Sequence, residues 1–199
     1  MTLELLNTYA PLGTFLVIAA TAVAALVQLR HLRAGNQINA MLSIEDKVQG
    51  SAFNDALVLV RGRLAGALED PDFREYSAAV SSGRTPPQVP QDYKDIRSAV
   101  RLIGNTYESL GLLVKNGTIE ATTFLDAYAN AVHLAWTALE KYTAFTREVV
   151  SLNALWENFE YVAVLSEDWM SKHPTTYPKG MRRFQLRNPW PVPPMAATA

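Results

Sequence analysis

Three histidines and one pair of glutamates are the side chains whose spacing bears on metal binding or acid–base chemistry. His31, His133 and His173 are far apart, and none belongs to a His-Glu-x-x-His or Glu-x-x-His pattern. Zinc proteases and di-iron bundles take their ligands from such patterns. Glu157 and Glu160 would share a helix face. Exposure of this face to solvent explains two neighbouring carboxylates without a bound metal. We predict that the chain has no metal site.

Motifs for a nucleophile or a bound nucleotide are also missing. The 199 residues include no cysteine, which excludes disulfide bonds, thiolate metal sites and a cysteine nucleophile. They include no Gly-x-Ser-x-Gly, no Walker A motif and no glycine-rich dinucleotide loop. Arg61-Gly62-Arg63 has two interpretations. The arginines could contact anionic lipid or a partner, or they could lie on the solvent-exposed face of an amphipathic helix. We predict a non-enzymatic protein without a cofactor.

A segment of nineteen uncharged residues, Tyr9 to Val27, dominates the N-terminal part of the sequence. As a helix it would be roughly 28 Å long, close to the hydrocarbon thickness of a bilayer. A cleaved signal peptide needs a basic start, but the charged residue before this segment is Glu4. Arg30 and Arg33 follow the segment, so the positive-inside rule places the bulk of the chain in the cytoplasm. We predict a single-pass protein of the bacterial inner membrane with its N-terminus outside.

Small residues recur along this segment at steps of three and four. Gly13, Val17, Ala20 and Ala24 follow this spacing. In lipid, small residues allow helices to approach closely, and packing rather than hydrophobicity drives their association. The spacing predicts a contact with the helices of other membrane subunits. The alternative is that alanine is simply common in membrane helices.

After the segment, apolar residues recur with a helical period and no stretch alternates with period two. An apolar stripe from Ile38 to Leu68 continues the first helix, with Gly35 and Gly50 as weak points. A short helix is predicted from the N-cap Asp70 and Pro71 to about Val80, ended by Gly83, and a longer one from Asp92 to Asn116, closed by Gly117. Two more helices are predicted, from a cap at Thr118 through Phe145 and from near Asn153 to Met170. Residues 82–91, with three prolines, form a loop. We predict an all-α protein with three parts, a transmembrane anchor (1–33), a cytoplasmic antiparallel bundle (34–170) and an extended tail (171–199).

The charge of the chain is divided unevenly between bundle and tail. Residues 34–170 carry eleven Lys or Arg and eighteen Asp or Glu, whereas residues 171–199 carry five basic residues, no acid and six prolines. An acidic bundle argues against nucleic-acid binding. The tail could attach to anionic lipid headgroups, lie over a partner protein or be a disordered terminus. The residues predicted to dock on a membrane or a partner are Arg30, Arg33, Arg182, Arg183, Phe184, Arg187 and Trp190.

Three short motifs give the chain a family resemblance. They are Tyr107-Glu108-Ser109-Leu110-Gly111, Lys115-Asn116-Gly117-Thr118-Ile119 and Trp156-Glu157-Asn158-Phe159-Glu160, together with Arg30 and Arg33 after the apolar segment. With these the chain resembles, over roughly residues 10–170, a family of uncharacterised bacterial proteins with a domain of unknown function. The resemblance implies one N-terminal membrane helix followed by a cytoplasmic helical domain. It implies no catalytic residues.

These features favour an accessory or scaffold subunit of a larger membrane complex. Respiratory and photosynthetic complexes are candidates because they recruit small single-pass subunits, although no residue indicates a haem or a pigment. The alternative is a signalling or stress-response module that dimerises through the stripe from Ile38 to Leu68. Efficient crosslinking at Met41 or Val48 would favour the dimer, and stable co-purification with other membrane proteins would favour the subunit.

Overall fold

The computed structural model describes residues 3–191, with side chains except those of residues 3–12, 33 and 34. Its described residues form helices and no strand, which confirms the predicted all-α class. The elements are α1 (Leu3–Gln49), α2 (Ser51–Leu59), a π-helical turn (Val60–Leu64), α3 (Ala65–Glu69), α4 (Pro71–Ser81), α5 (Gln91–Lys115), α6 (Ala121–Val150) and α7 (Glu157–Lys172).

Helix α1 is long and apolar enough to cross a membrane. Its 47 residues correspond to roughly 70 Å, about twice the thickness of a bilayer core. The helix passes through Gly35 without a break, as predicted, but the prediction that it continues to Leu68 is wrong. It ends at Gln49 because Gly50 adopts an extended conformation (φ −58°, ψ 142°) and its carbonyl accepts the N–H groups of Phe53 and Asn54, which begins α2.

The start of α4 follows the local chemistry of its sequence. Asp70 is the N-cap, its carboxylate accepts the N–H of Asp72 at 2.8 Å, and Pro71 occupies the first turn. A hydrogen bond from the Tyr93 hydroxyl also reaches Asp70 and holds the pKa of this carboxyl below its ordinary value. Gly83 then takes a positive φ of 73° and ends the segment. Each of these features agrees with the predicted cap, proline and terminating glycine.

Two predicted helix starts are wrong. Helix α6 is capped by Glu120 and not by Thr118, because the Glu120 carboxylate accepts the N–H of Thr123 at 3.0 Å. Hydrogen bonds from Thr123 also hold the pKa of Glu120 below its ordinary value. Helix α7 begins at Glu157 and not near Asn153, since residues 151–156 form a turn in which Ser151 (φ 51°) and Trp156 (φ 55°) are left-handed.

The core lies between α5, α6 and α7, with α2, the π-helical turn and α4 packed around them. Aromatic side chains fill its centre, where each buries a large apolar area. Tyr142 and Phe159 are fully buried, and Tyr107 stacks on Phe159 with ring centroids 4.9 Å apart. Tyr128 and Phe145 are half-buried at its edge. The buried core residues therefore follow Gly50 in the sequence, except for Ile44, which α1 contributes.

Candidate functional site

The apolar part of α1 has two chemically different faces. At 3.6 residues per turn, Gly13, Val17, Ala20 and Ala24 fall within roughly 60° of arc. The opposite side carries Ala22 and, around it, bulky side chains, namely Phe15, Ile18, Leu26 and Leu29. No side chain between Gly13 and Leu32 is buried within the protein. The predicted packing residues thus share one smooth, exposed face.

Arg30 and Arg33, which were predicted to dock on a membrane or a partner, follow the apolar part of α1 on the same helix. Arg30 is exposed and forms no ion pair with a described carboxylate. The side chain of Arg33 lies outside the described residues. His31, the remaining titratable group in this region, is exposed on the same turn.

The tail from Pro174 to Pro191 contains no helix or strand, and each of its described residues is exposed. Local contacts organise its first half. The Tyr177 hydroxyl donates to the carbonyl of Arg182 at 2.9 Å, while the Arg183 guanidinium lies 4.5 Å from the centre of the Tyr177 ring. Arg182 lies 5.7 Å from the Phe184 ring. The tail therefore presents cations next to exposed aromatic rings.

The second half of the tail carries Arg187 and Trp190. Trp190 is 74% exposed and Phe184 is 82% exposed, so both rings are available to an apolar environment. None of the tail arginines forms an ion pair with the acidic bundle among residues 3–191. Residues 192–199, which complete the proline-rich prediction, lie outside the described residues.

Two of the sequence motifs meet in space, a relationship that sequence analysis missed. The Glu108 carboxylate of α5 accepts the backbone N–H groups of Asn158 and Phe159, each at 3.0 Å, and the Asn158 amide at 2.6 Å. Lys115 donates to the Asn158 side chain at 3.1 Å. A carboxylate at the first N–H groups of a helix satisfies unpaired donors and complements the helix dipole. Glu108 is therefore the cap of α7, supplied by a neighbouring helix.

Two glycines on the same face of α5 allow the close approach that this cap requires. A Cβ at Gly111 would overlap the carbonyl group of Asn158, and a Cβ at Gly104 would overlap the Trp156 ring. The Trp156 Nε1 donates to the Asn105 side chain at 3.0 Å. The seven-residue spacing of these glycines on an amphipathic helix was a signal in the sequence that could have indicated this contact. These contacts give the motifs a role in packing α7 against α5.

The residues first considered for metal chemistry are dispersed. Over the described part of the chain, no group of three or more His, Asp or Glu side chains could hold a metal ion. Glu160 forms an ion pair with Arg147 at 2.7 Å, while Glu157 is exposed. Arg63 pairs with Asp92, and Arg61 is exposed.

Comparison with known proteins gives one finding. A family model described as a domain of unknown function (DUF4760) matches residues 15–169. No curated protein and no solved structure matches this chain.

Proposed function

The chain belongs to the DUF4760 family, and we propose that it is a membrane-anchored, non-enzymatic accessory or scaffold subunit that stabilises a larger membrane protein complex. The observation that carries this proposal is the exposure of the apolar part of α1. From Gly13 to Leu32 the helix buries no side chain against the rest of the protein. A helix of this length and hydropathy is stable when lipid or other apolar helices surround it.

The two faces of α1 favour different neighbours. Bulky side chains pack well against acyl chains, whereas a face of small residues allows a second helix to approach closely. We infer that the face with Gly13, Val17, Ala20 and Ala24 contacts another membrane subunit. The face with Phe15 and Leu26 would be directed to lipid.

Location follows from the distribution of charge. The proposal places α1 across the inner membrane of a bacterium with its N-terminus outside, because Arg30 and Arg33 follow the apolar part. The acidic bundle would then be cytoplasmic. In this arrangement the basic tail, with Arg182, Arg183 and Arg187, would contact anionic lipid headgroups, each arginine contributing about 1 kcal/mol near the surface.

A matched pair of substitutions on α1 tests the proposal. The full-length protein would be extracted in a mild non-ionic detergent, and the proteins that remain bound would be quantified by mass spectrometry. Ala20→Leu enlarges the small face, while Ala22→Leu makes the same change on the opposite face. We expect Ala20→Leu to lower recovery of the bound subunits at least about tenfold, since loss of close packing costs more than 1 kcal/mol. Ala22→Leu should leave recovery unchanged.

Equal recovery of the same proteins from both variants and the parent would show that the small face does not hold the partner. Recovery of no stoichiometric partner at all would contradict the subunit proposal itself. Expression of each variant and its detergent-solubilised helicity by circular dichroism would establish that neither change has unfolded the protein.

The signalling alternative is favoured by one observation, the exposure of Ile38 (61%) and Leu42 (57%) on α1 beyond its apolar part. The remainder of the proposed dimer stripe packs within the protein, because Ile44 is buried and Met41 and Val48 are half-buried. A dimer would therefore use Ile38 and Leu42. Cysteine crosslinking at Leu42 in native membranes distinguishes the alternatives, since efficient homodimer formation favours signalling.

A further inference from the structure

A pocket of about 470 Å³ lies where α4 ends and where α5 and α6 meet the α6–α7 turn. Two arginines, Arg97 and Arg101, come from α5, while the exposed Leu152 side chain and the edge of the buried Trp156 ring form an apolar wall. No carboxylate lines this pocket among the described residues. This is unusual for the bundle, in which acids outnumber bases eighteen to eleven. Its size falls in the range of small-molecule sites.

The two arginines have few partners within the protein. Neither forms an ion pair with a described carboxylate. The Arg97 Nε is buried and meets no acceptor among the described residues, and its Nη2 is 3.4 Å from the Ser81 hydroxyl. A guanidinium without a carboxylate partner is suited to bind an oxyanion, because its N–H groups match the geometry of planar or tetrahedral oxygens.

The Trp156 ring at this wall is held rigidly in place. Trp156 has a left-handed backbone (φ 55°), its Nε1 is hydrogen-bonded to Asn105, and its ring lies against Gly104. A non-glycine residue in this conformation persists because surrounding contacts maintain it, and such residues concentrate at ligand sites. A ring that is ordered before binding loses little entropy when a ligand packs against it.

A second groove continues the same surface. It has a volume of about 570 Å³, lies between α1 and α5, and shares Arg101 and Asn105 with the first pocket. Lys47 adds a third cation, and again no described carboxylate lines it. Arg101 therefore lies between two cavities that are lined by basic side chains and by no described carboxylate. The second cavity reaches α1, the helix that carries the apolar segment.

We propose that the pocket binds an oxyanion of the phosphate or carboxylate class that carries an apolar group. Arg97 and Arg101 bind the oxyanion, and Leu152 and the edge of the Trp156 ring contact the apolar group. Such a ligand could be a soluble phosphorylated or carboxylated compound or the headgroup region of an anionic lipid. The chemistry of recognition is the same for both sources.

Calorimetric titration of the full-length protein in non-ionic detergent tests this inference with three probes. Phenyl phosphate supplies both the anion and the ring, inorganic phosphate supplies the anion alone, and dihexanoyl phosphatidylglycerol represents the lipid. We expect phenyl phosphate or the lipid analogue to bind more tightly than inorganic phosphate. The tighter of these two probes identifies the soluble or the lipid source.

Charge substitutions establish where the probe binds. Arg101 is exposed, so Arg101→Gln should fold and should weaken binding at least about tenfold, as loss of one partner of a charged pair does. Arg61→Gln removes the same charge outside the pocket and should change affinity less than about twofold. Leu152→Glu adds a carboxylate at the pocket and should abolish binding, whereas Leu134→Glu, at an exposed leucine outside the pocket, should not.

The inference is overturned if none of the three probes binds at millimolar concentration. It is also overturned if Arg101→Gln and Leu152→Glu behave like their controls Arg61→Gln and Leu134→Glu. Thermal unfolding of every variant accompanies the titrations, and the pair of Leu152 and Leu134 variants decides the outcome if Arg101→Gln proves unstable.

Discussion

The Glu108 carboxylate and the Asn158 amide groups, 50 residues apart in the sequence, join helices α5 and α7. Glu108 accepts the backbone N–H of Asn158 at 3.0 Å and its side-chain amide at 2.6 Å. Most helix caps come from the residue that precedes the helix. Here the residue before α7 is Trp156, whose side chain makes no cap, so the helix depends on a carboxylate from α5.

Glu108→Gln tests the contribution of this cap. Glu108 Oε2 accepts both backbone N–H groups and Oε1 accepts the Asn158 side-chain amide. Glutamine has one acceptor oxygen, so the donors of one of these two positions lose their partner. We expect the free energy of unfolding to fall by about 1–2 kcal/mol. The measurement is urea denaturation of the full-length protein in non-ionic detergent, followed by circular dichroism. Glu140→Gln on the exposed face of α6 is the control, and an equal loss in both variants would contradict the role of Glu108.

Two glycine substitutions should change stability in opposite directions. Gly111→Ala would bring a methyl group into the carbonyl of Asn158 and should destabilise the protein by about 1–3 kcal/mol. Gly66→Ala lies in helical α3 with open space around it and should stabilise by up to about 1 kcal/mol. The same urea denaturation measures both. A Gly111→Ala protein as stable as the parent would show that α7 can move away from α5 without cost.

Helix boundaries were predictable where nearby residues determine them and were not where distant residues do. Asp70-Pro71 and Asn116-Gly117 were interpreted correctly because the cap, the proline and the glycine act within their own turn. The start of α7 was not, since Trp156 takes its left-handed conformation against Gly104 and Asn105, the latter 51 residues away. Periodicity was sufficient to align the small residues of α1, whereas only folding brings Arg97 and Arg101 beside Trp156.

The tail provides a test of the proposed contact with anionic lipid. In vesicles that contain brominated phosphatidylglycerol, a quencher of tryptophan fluorescence, we expect stronger quenching of Trp190 than with brominated phosphatidylcholine. The Trp190→Phe variant isolates the contribution of this ring. Replacing Arg182, Arg183 and Arg187 by glutamine should remove the difference between the lipids, because each arginine contributes about 1 kcal/mol of attraction.

The control for the tail is removal of charge from the bundle by Arg84→Gln, which should leave the quenching of Trp190 unchanged. High salt should weaken the difference between the two lipids, since exposed charges are screened over about 10 Å at 0.1 M. Equal quenching in both lipids at low salt would contradict attachment to anionic headgroups and would favour a protein partner for the tail.

The buried hydroxyl of Tyr107 predicts a loss of stability at alkaline pH. Burial raises its pKa from 10.0 to about 12. The folded protein therefore holds this proton more tightly than the unfolded chain, whose tyrosines have ordinary values. The resulting stabilisation of the folded protein is fully present below pH 10 and is lost as the pH rises from 10 to 12. Over this range we expect the free energy of unfolding to fall by about 2 kcal/mol through Tyr107.

Tyr107→Phe keeps the ring that stacks on Phe159 and removes the ionisable group. Its stability should decline less steeply than that of the parent between pH 10 and 12, while Tyr161→Phe, on an exposed ring, should follow the parent. Urea denaturation at several values of pH in this range measures the slopes. A Tyr107→Phe protein that loses stability as steeply as the parent would show that Tyr107 ionises as readily in the folded protein as in the unfolded chain, and therefore that solvent reaches this part of the core.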